Sequence, residues 1–291
     1  MTPKKTIYPN GVAPSASPTL EEAGGRLRVR AFWRETLDPA ELFTKFATQK
    51  VRSTKSVSDQ SISWLRLARH LAGAVVRGRA SLGAAEPVFC VGRNKTGTTS
   101  LAKALAGFGY QVAPQWPAER MLRQWDARDF RRLLWFCRFY DAFQDVPFSL
   151  PGTHAVLDAA FPRAKFILTV RDSPAQWFAS VTRFATKRIN KGRLPTVEDL
   201  KGDTYCYPGW SWDGQTLVYG VTGQADLYDP DLYQQNYLRH NQAVIDQFRG
   251  RPGKLLVLNV AAPGAYAALA DFLGFPAPAG ADFPWENATG T

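Results

Sequence analysis

Residues 88–105 read "VFCVGRNKTGTTSLAKAL". An apolar run ending at Val91 meets Gly92, then a polar, threonine-rich loop, then apolar residues at helical spacing, Leu101, Ala104, Leu105 and Phe108. Strand, glycine loop and helix in this order form the plan of an anion site. The loop turns several backbone N–H groups toward one spot, and the helix N-terminus adds partial positive charge there. The common nucleotide-binding pattern is G-x-x-x-x-G-K-[ST]. Gly92 and Gly97 keep its glycine spacing, but Thr98 stands where the lysine belongs and Lys95 comes two residues before the second glycine. Arg93 and Asn94 lead into the lysine, and Thr96, Thr98, Thr99 and Ser100 add hydroxyl donors. A threonine-rich helix start with no ligand would explain neither the lysine nor the glycine spacing.

Downstream, apolar strands alternate with helical patterns. "KFILTV", 165–170, and "KLLVLNV", 254–260, read as further buried strands, and Tyr110–Val112 as a short one. Helices are predicted over 98–108, 117–139, 153–161, 233–248 and 266–273, while the Gly- and aromatic-rich stretch 202–224 reads as irregular. "AFQDVPF" reads as a strand end or turn. Buried strands separated by helices predict an α/β, P-loop-like three-layer fold with a central parallel sheet. Upstream, residues 1–24 are rich in Pro, Ser, Gly and Ala and read as a flexible tail. Residues 25–86 read as a basic helical extension, leaving 87–291 as the α/β domain. In the extension, residues 64–79 interleave Trp64, Leu65, Leu67, Leu71, Val75 and Val76 with four arginines. Such a helix either docks on the domain with its arginines in water or touches an anionic membrane.

The 291 residues carry a net charge of +11, and residues 1–87, with 14 Lys+Arg against 7 Asp+Glu, hold +7 of it. A positive field concentrated before the loop argues against one continuous nucleic-acid groove. The three cysteines, Cys90, Cys137 and Cys206, form no disulfide or zinc pattern. No run of about 18 uncharged apolar residues and no signal-peptide core is present, so a cytoplasmic setting is expected, membrane-peripheral if 64–79 faces lipid.

A second anion site follows from "KFILTVRDSP". In open α/β sheets ligands sit off the carboxyl ends of the strands, where Arg171 offers a bidentate fork. ATP-using P-loop enzymes usually place a Mg²⁺-binding aspartate there. Asp172 is better placed to cap the next helix, as is Ser173, with Pro174 at the helix start. Two anion sites without a Mg²⁺ ligand pair suit a ligand with separated phosphates.

On these motifs the chain resembles the sulfotransferases that use 3′-phosphoadenosine-5′-phosphosulfate (PAPS), in their bacterial type. "GRNKTGTTSL" resembles their 5′-phosphosulfate loop and "FPRAKFILTVRDSPAQWFASVTRF" their 3′-phosphate motif, while "AFQDVPF" and the closing "FPWENAT" resemble further segments. The resemblance spans about 87–290 and is strongest in the two motifs. It implies sulfuryl transfer from PAPS to a hydroxyl or amine by in-line displacement, with PAP (adenosine 3′,5′-bisphosphate) as product and no metal. It implies that Lys95 stabilises the leaving phosphate, that Gly97, Thr98 and Thr99 cradle the 5′-phosphate, and that Arg171 and Ser180 hold the 3′-phosphate. Ser180 lies nine residues after Arg171 where the family has eight, an extra residue expected to enlarge the 172–176 turn. Trp177 is either an adenine neighbour or a core aromatic.

An acceptor hydroxyl needs a general base. The candidates are Asp145 first, Glu119 second and His154 third, the last more simply a helix-surface histidine. Sugars, phenols and lipids suit the aromatic "TYCYPGWSW" segment about equally. The competing readings are an ATP-dependent kinase, which the displaced lysine and Arg171 speak against, and a non-catalytic nucleotide- or membrane-binding module.

Overall fold

Val88–Cys90 (β1) is apolar throughout because helices cover both faces of the sheet it belongs to. In the computed structural model, which describes residues 86–188, 192–276 and 282–283, β1 pairs in parallel with Ala142–Phe143 (β2) on one side and Lys165–Thr169 (β3) on the other. Leu255–Leu258 (β4) pairs in parallel with β3 and completes a four-stranded sheet of order β2-β1-β3-β4. The predicted flexible tail (1–24) and helical extension (25–86, except Glu86) lie outside the described residues. So do residues 64–79 and, apart from Phe283, the closing "FPWENAT".

Alternation along the strands divides the core between the two sheet faces. Phe89, Val91, Phe166 and Leu168 point to one face. There they meet Arg131–Phe136 (α4), Thr153–Ala160 (α5) and Pro230–Gln247 (α9) through Phe136, Leu157 and Val244. Val88, Cys90 and Ile167 point to the other, against Thr98–Gly107 (α1) and Ala265–Leu273 (α10) through Leu101, Leu105, Leu269 and Leu273. Helices therefore cover both faces of a parallel sheet, the expected α/β architecture. Phe89 anchors one layer. It is fully buried, stacks on Phe143 at 5.0 Å and lies 5.6 Å from Phe166, and its burial alone stabilises by about 2–3 kcal/mol.

Four local expectations are corrected. The predicted helix 117–139 is three short ones, Gln115–Glu119 (α2), Leu122–Asp126 (α3) and α4. Their apolar residues belong to different cores: Leu122 and Trp125 pack with Leu150, whereas Leu133 and Phe136 pack on the sheet. One straight helix cannot face both, and Arg128, at φ 56°, makes the bend before α4. Tyr110–Val112 contributes one bridge, Val112 to Ala142, and no strand. The stretch read as irregular holds a helix, Trp210–Tyr219 (α8), bounded by left-handed Gly209 and Gly220, so these glycines cap a helix. The remaining helices are Pro174–Arg188 (α6) and Val197–Gly202 (α7). α6 begins directly at Pro174, with Ser173 Oγ accepting from Gln176 N at 3.1 Å. Pro174–Gln176 of the expected 172–176 turn are thus helical.

The ends of β1 and β3 touch at Gly92. A Cβ there would lie 2.5 Å from both the backbone N and O of Thr169. Gly92→Ala is expected to lower unfolding free energy by about 3 kcal/mol or more, since backbone must move. Urea denaturation measures this, and a loss below about 1 kcal/mol would contradict the close approach.

Candidate active site

The loop 92–97 is tied down from beneath. Thr96 Oγ1 donates to Arg93 O at 2.5 Å and lies 2.6 Å from Thr169 Oγ1 at the end of β3; Thr169 in turn lies 3.6 Å from Cys90 Sγ. Thr96 is fully buried, so its hydroxyl shapes the loop from inside. From α6, Trp177 Nε1 donates to Asn94 O at 2.9 Å, and Arg171 Nε donates to Lys95 O at 2.9 Å. Trp177 is fully buried and stacked on Tyr237 at 4.6 Å. Of its two readings the core aromatic holds: the ring has no free face for an adenine, and its N–H supports the loop.

Above these ties the loop is open. Gly97 sits at φ 98°, and a Cβ there would collide with Val260. The first α1 bond runs from Leu101 N to Gly97 O, and no side chain caps the helix. The N–H groups of Thr98, Thr99 and Ser100 therefore precede the helical ladder and are oriented toward the loop. Thr98 is buried, Ser100 partly so and Thr99 exposed.

Lys95 and Asp145 both adopt left-handed backbone, at φ 66° and 63°. For non-glycine residues this conformation is strained and recurs at functional positions. Both line one cavity of about 370 Å³, together with Arg93, Asn94 and Glu119. Lys95 Nζ lies 3.1 Å from the centre of the Phe184 ring. Burial lowers the Lys95 pKa, and Asp145 opposes that shift. Burial raises the Asp145 carboxyl, opposed by the Lys95 charge. Glu119, only 3% exposed, accepts from Gln115 Nε2 at 2.6 Å, and burial followed by Asp145 pushes it up to about 7. Arg93 is 2% exposed; its Nη1 bonds Ser149 O at 3.4 Å, its Nη2 bonds Asn236, and burial lowers its pKa.

The structure brings Arg93, Asn94, Lys95, Glu119 and Asp145 to one cavity. Arg171 is not on its wall. Arg171 sits at the β3 end, half-buried, its N–H donating to Tyr237 Oη at 3.0 Å. Ser180 Oγ donates to Gln176 O of its own helix at 3.0 Å. Among the described residues no hydrogen bond joins it to Arg171 or to the loop. His154 is no surface histidine. It is 5% exposed, packs edge-on to His240 at 6.2 Å, does not line the cavity, and burial pushes it down to about 4. Asp172 accepts from Gln176 Nε2 at 2.8 Å and from Asn259 Nδ2 at 2.5 Å, which leaves the α6 cap to Ser173.

Sequence reasoning missed Val181, Phe184, Ala185 and Arg188, the cavity wall given by α6. The available signal was spacing: they lie four, seven, eight and eleven residues after Trp177, one helix face. Among the described residues no group of three His, Cys, Asp or Glu side chains could hold a metal ion, and no helix is long and apolar enough to cross a membrane.

The sheet end carries a loop leading into an uncapped helix, with a lysine and two carboxylates on an adjoining cavity, in an α/β fold. The Sulfotransferase domain family matches residues 87–291, and the chain belongs to that family. It is an enzyme of sulfuryl transfer. No curated protein matches the chain.

The folded protein holds the Glu119 proton more tightly than the unfolded chain, whose value is near 4.5. Stability attributable to Glu119 is therefore lost as pH rises from about 4.5 through about 7, by up to about 3 kcal/mol. Glu119→Gln removes that loss. Its Tm relative to the parent protein is expected to be higher at pH 8 than at pH 5; a pH-independent difference would show that the carboxyl is not perturbed.

Proposed function

We propose that the chain moves the sulfuryl group of PAPS to a hydroxyl or amine acceptor. One observation carries this reading: the loop lysine and two carboxylates open on one cavity beside an uncapped helix N-terminus. The N–H groups of Gly97, Thr98, Thr99 and Ser100, with the hydroxyls of Thr98 and Thr99, hold the 5′-phosphate. The terminal nitrogens of Arg171 hold the 3′-phosphate. Ser180 assists once its hydroxyl leaves Gln176 O. Thr96 and Arg93 shape the loop from below. The resemblance supplies the donor's identity; the uncapped helix and the fork at the β3 end are compatible with its separated phosphates.

In the transfer the acceptor oxygen bonds to sulfur as the bond from sulfur to the 5′-phosphate oxygen breaks. Asp145, the carboxylate whose charge couples most strongly to Lys95, takes the acceptor proton, and Lys95 stabilises negative charge on the departing oxygen. Glu119 is the second carboxylate, and its protonation near neutrality tunes the charge that Lys95 experiences. Because a sulfuryl group carries less charge than a γ-phosphoryl group, these side chains suffice without Mg²⁺. The setting we propose is cytoplasmic, in keeping with three buried, free cysteines. Residues 64–79 carry no part of this reading.

Calorimetry is expected to show PAP binding without Mg²⁺; binding of ATP with Mg²⁺ alone would defeat the reading. Arg171→Ala is expected to weaken PAP by about 10- to 100-fold while sparing 5′-AMP. Equal losses would mean that Arg171 acts only through its bond to Lys95 O. Lys95→Ala is expected to cut kcat about 10²- to 10³-fold with PAP affinity largely kept, and full activity would remove Lys95 from the chemistry.

A further inference from the structure

The cavity is walled mostly by apolar and aromatic side chains, among them Leu122, Leu150, Leu200, Val218 and Trp210. Its polar side chains are largely engaged with the protein itself. Gln115 donates to Glu119 at 2.6 Å and accepts from Gln144 Nε2 at 3.2 Å. Gln215 Oε1 accepts from Tyr233 Oη at 2.6 Å. Arg188 pairs with Asp203 at 2.7 Å, and Ser211 bonds to both of them. Arg93 is held by Ser149 O and Asn236.

Two of the lining aromatics are also exposed to solvent. Phe184 and Tyr205 line the cavity yet are 42% and 47% exposed, and Leu194, 42% exposed, adjoins the lining residue Pro195. Scattered exposed apolar residues need no explanation, but a group at a cavity mouth marks a ligand surface. A sugar would bring hydroxyls around its whole ring. Against this wall several would lose water without gaining a partner, at about 1–3 kcal/mol each. A molecule polar at one end and apolar elsewhere meets no such penalty and gains about 25 cal/mol for each Å² buried.

We infer that the acceptor carries its hydroxyl on an apolar ring system, aromatic or alicyclic, with the hydroxyl at Lys95 and Asp145 and the ring body against Leu122, Val218 and Tyr205. The inference rests on the sulfotransferase reading for which end of the cavity reacts. The apolar wall itself does not depend on it. The step yields a sulfate monoester of the ring alcohol and PAP.

The test is calorimetric titration of the full-length protein, with and without PAP, by 2-naphthol, 2-decalol and N-acetylglucosamine. At least one ring alcohol is expected to bind saturably and about 30-fold or more tighter than the sugar. The naphthol and decalol arms separate aromatic from alicyclic acceptors. Val218→Asn, and Val218→Thr as a milder, near-isosteric variant, are expected to weaken the ring alcohol about tenfold and about threefold, with PAP affinity unchanged. Sugar binding as tight as the ring alcohols, no binding of either ring alcohol, or unchanged affinity in both variants overturns the inference. Absence of PAP binding overturns the donor reading alone, because the titrations without PAP still report on the cavity.

Discussion

Gly92 lies against Thr169 with no room for a side chain between them, and the rest of the site depends on that approach. It lets the ends of two parallel strands converge. The convergence places the Thr96 hydroxyl on the Thr169 hydroxyl, so the loop is fastened to the sheet at its base. Arg171 leaves the same strand end and fastens Lys95 through the lysine's carbonyl. Trp177, one turn into α6, does the same for Asn94. Three consecutive loop residues are thus held by three different groups, all reached from β3 or the helix that follows it. The strained backbone at Lys95 is tolerable because these bonds over-determine it.

With the loop fixed, the lysine's charge becomes the organising feature of the cavity. Lys95 is partly buried, and among the described residues no carboxylate forms an ion pair with it within 4.0 Å. Its ammonium rests on the Phe184 ring, with Asp145 acting at longer range. A direct ion pair would neutralise the cation that the proposed transfer uses. An aromatic face and a more distant carboxylate favour the charged form without covering the ammonium with an anion, while burial works against it. Glu119 extends the same balance, since a carboxyl buried beside Asp145 gives up its proton only near neutral pH.

Much of this was legible in the chain. Gly92, Lys95 and Gly97 could be read as an anion loop because a buried strand, two glycines and a helix start leave little else to do with that spacing. The sheet was legible in "KFILTV", whose residues are apolar throughout because both faces of β3 are covered. The break-up of 117–139 was not, because its helical periodicity is locally consistent and only the separate cores of Trp125 and Phe136 force the bends. α8 was missed for the opposite reason: glycines at 209 and 220 look like breakers until they are seen to bound a helix. His154 read as a surface residue because its burial comes from His240 and Phe248, far away in the chain.

By itself the sequence determined the local frame of the loop and of the β3 end. An early lysine, two spaced glycines, and an arginine after a buried strand are local features, set by strand and helix formation within a few residues. What only the tertiary structure decided is which other groups share a cavity with that lysine. Asp145, Glu119, Phe184 and Tyr205 come from four separate segments. Their convergence is produced by packing against the sheet and between helices, which no local pattern encodes. The same holds for their charge states, because desolvation is a property of the assembled cavity and not of any residue in it.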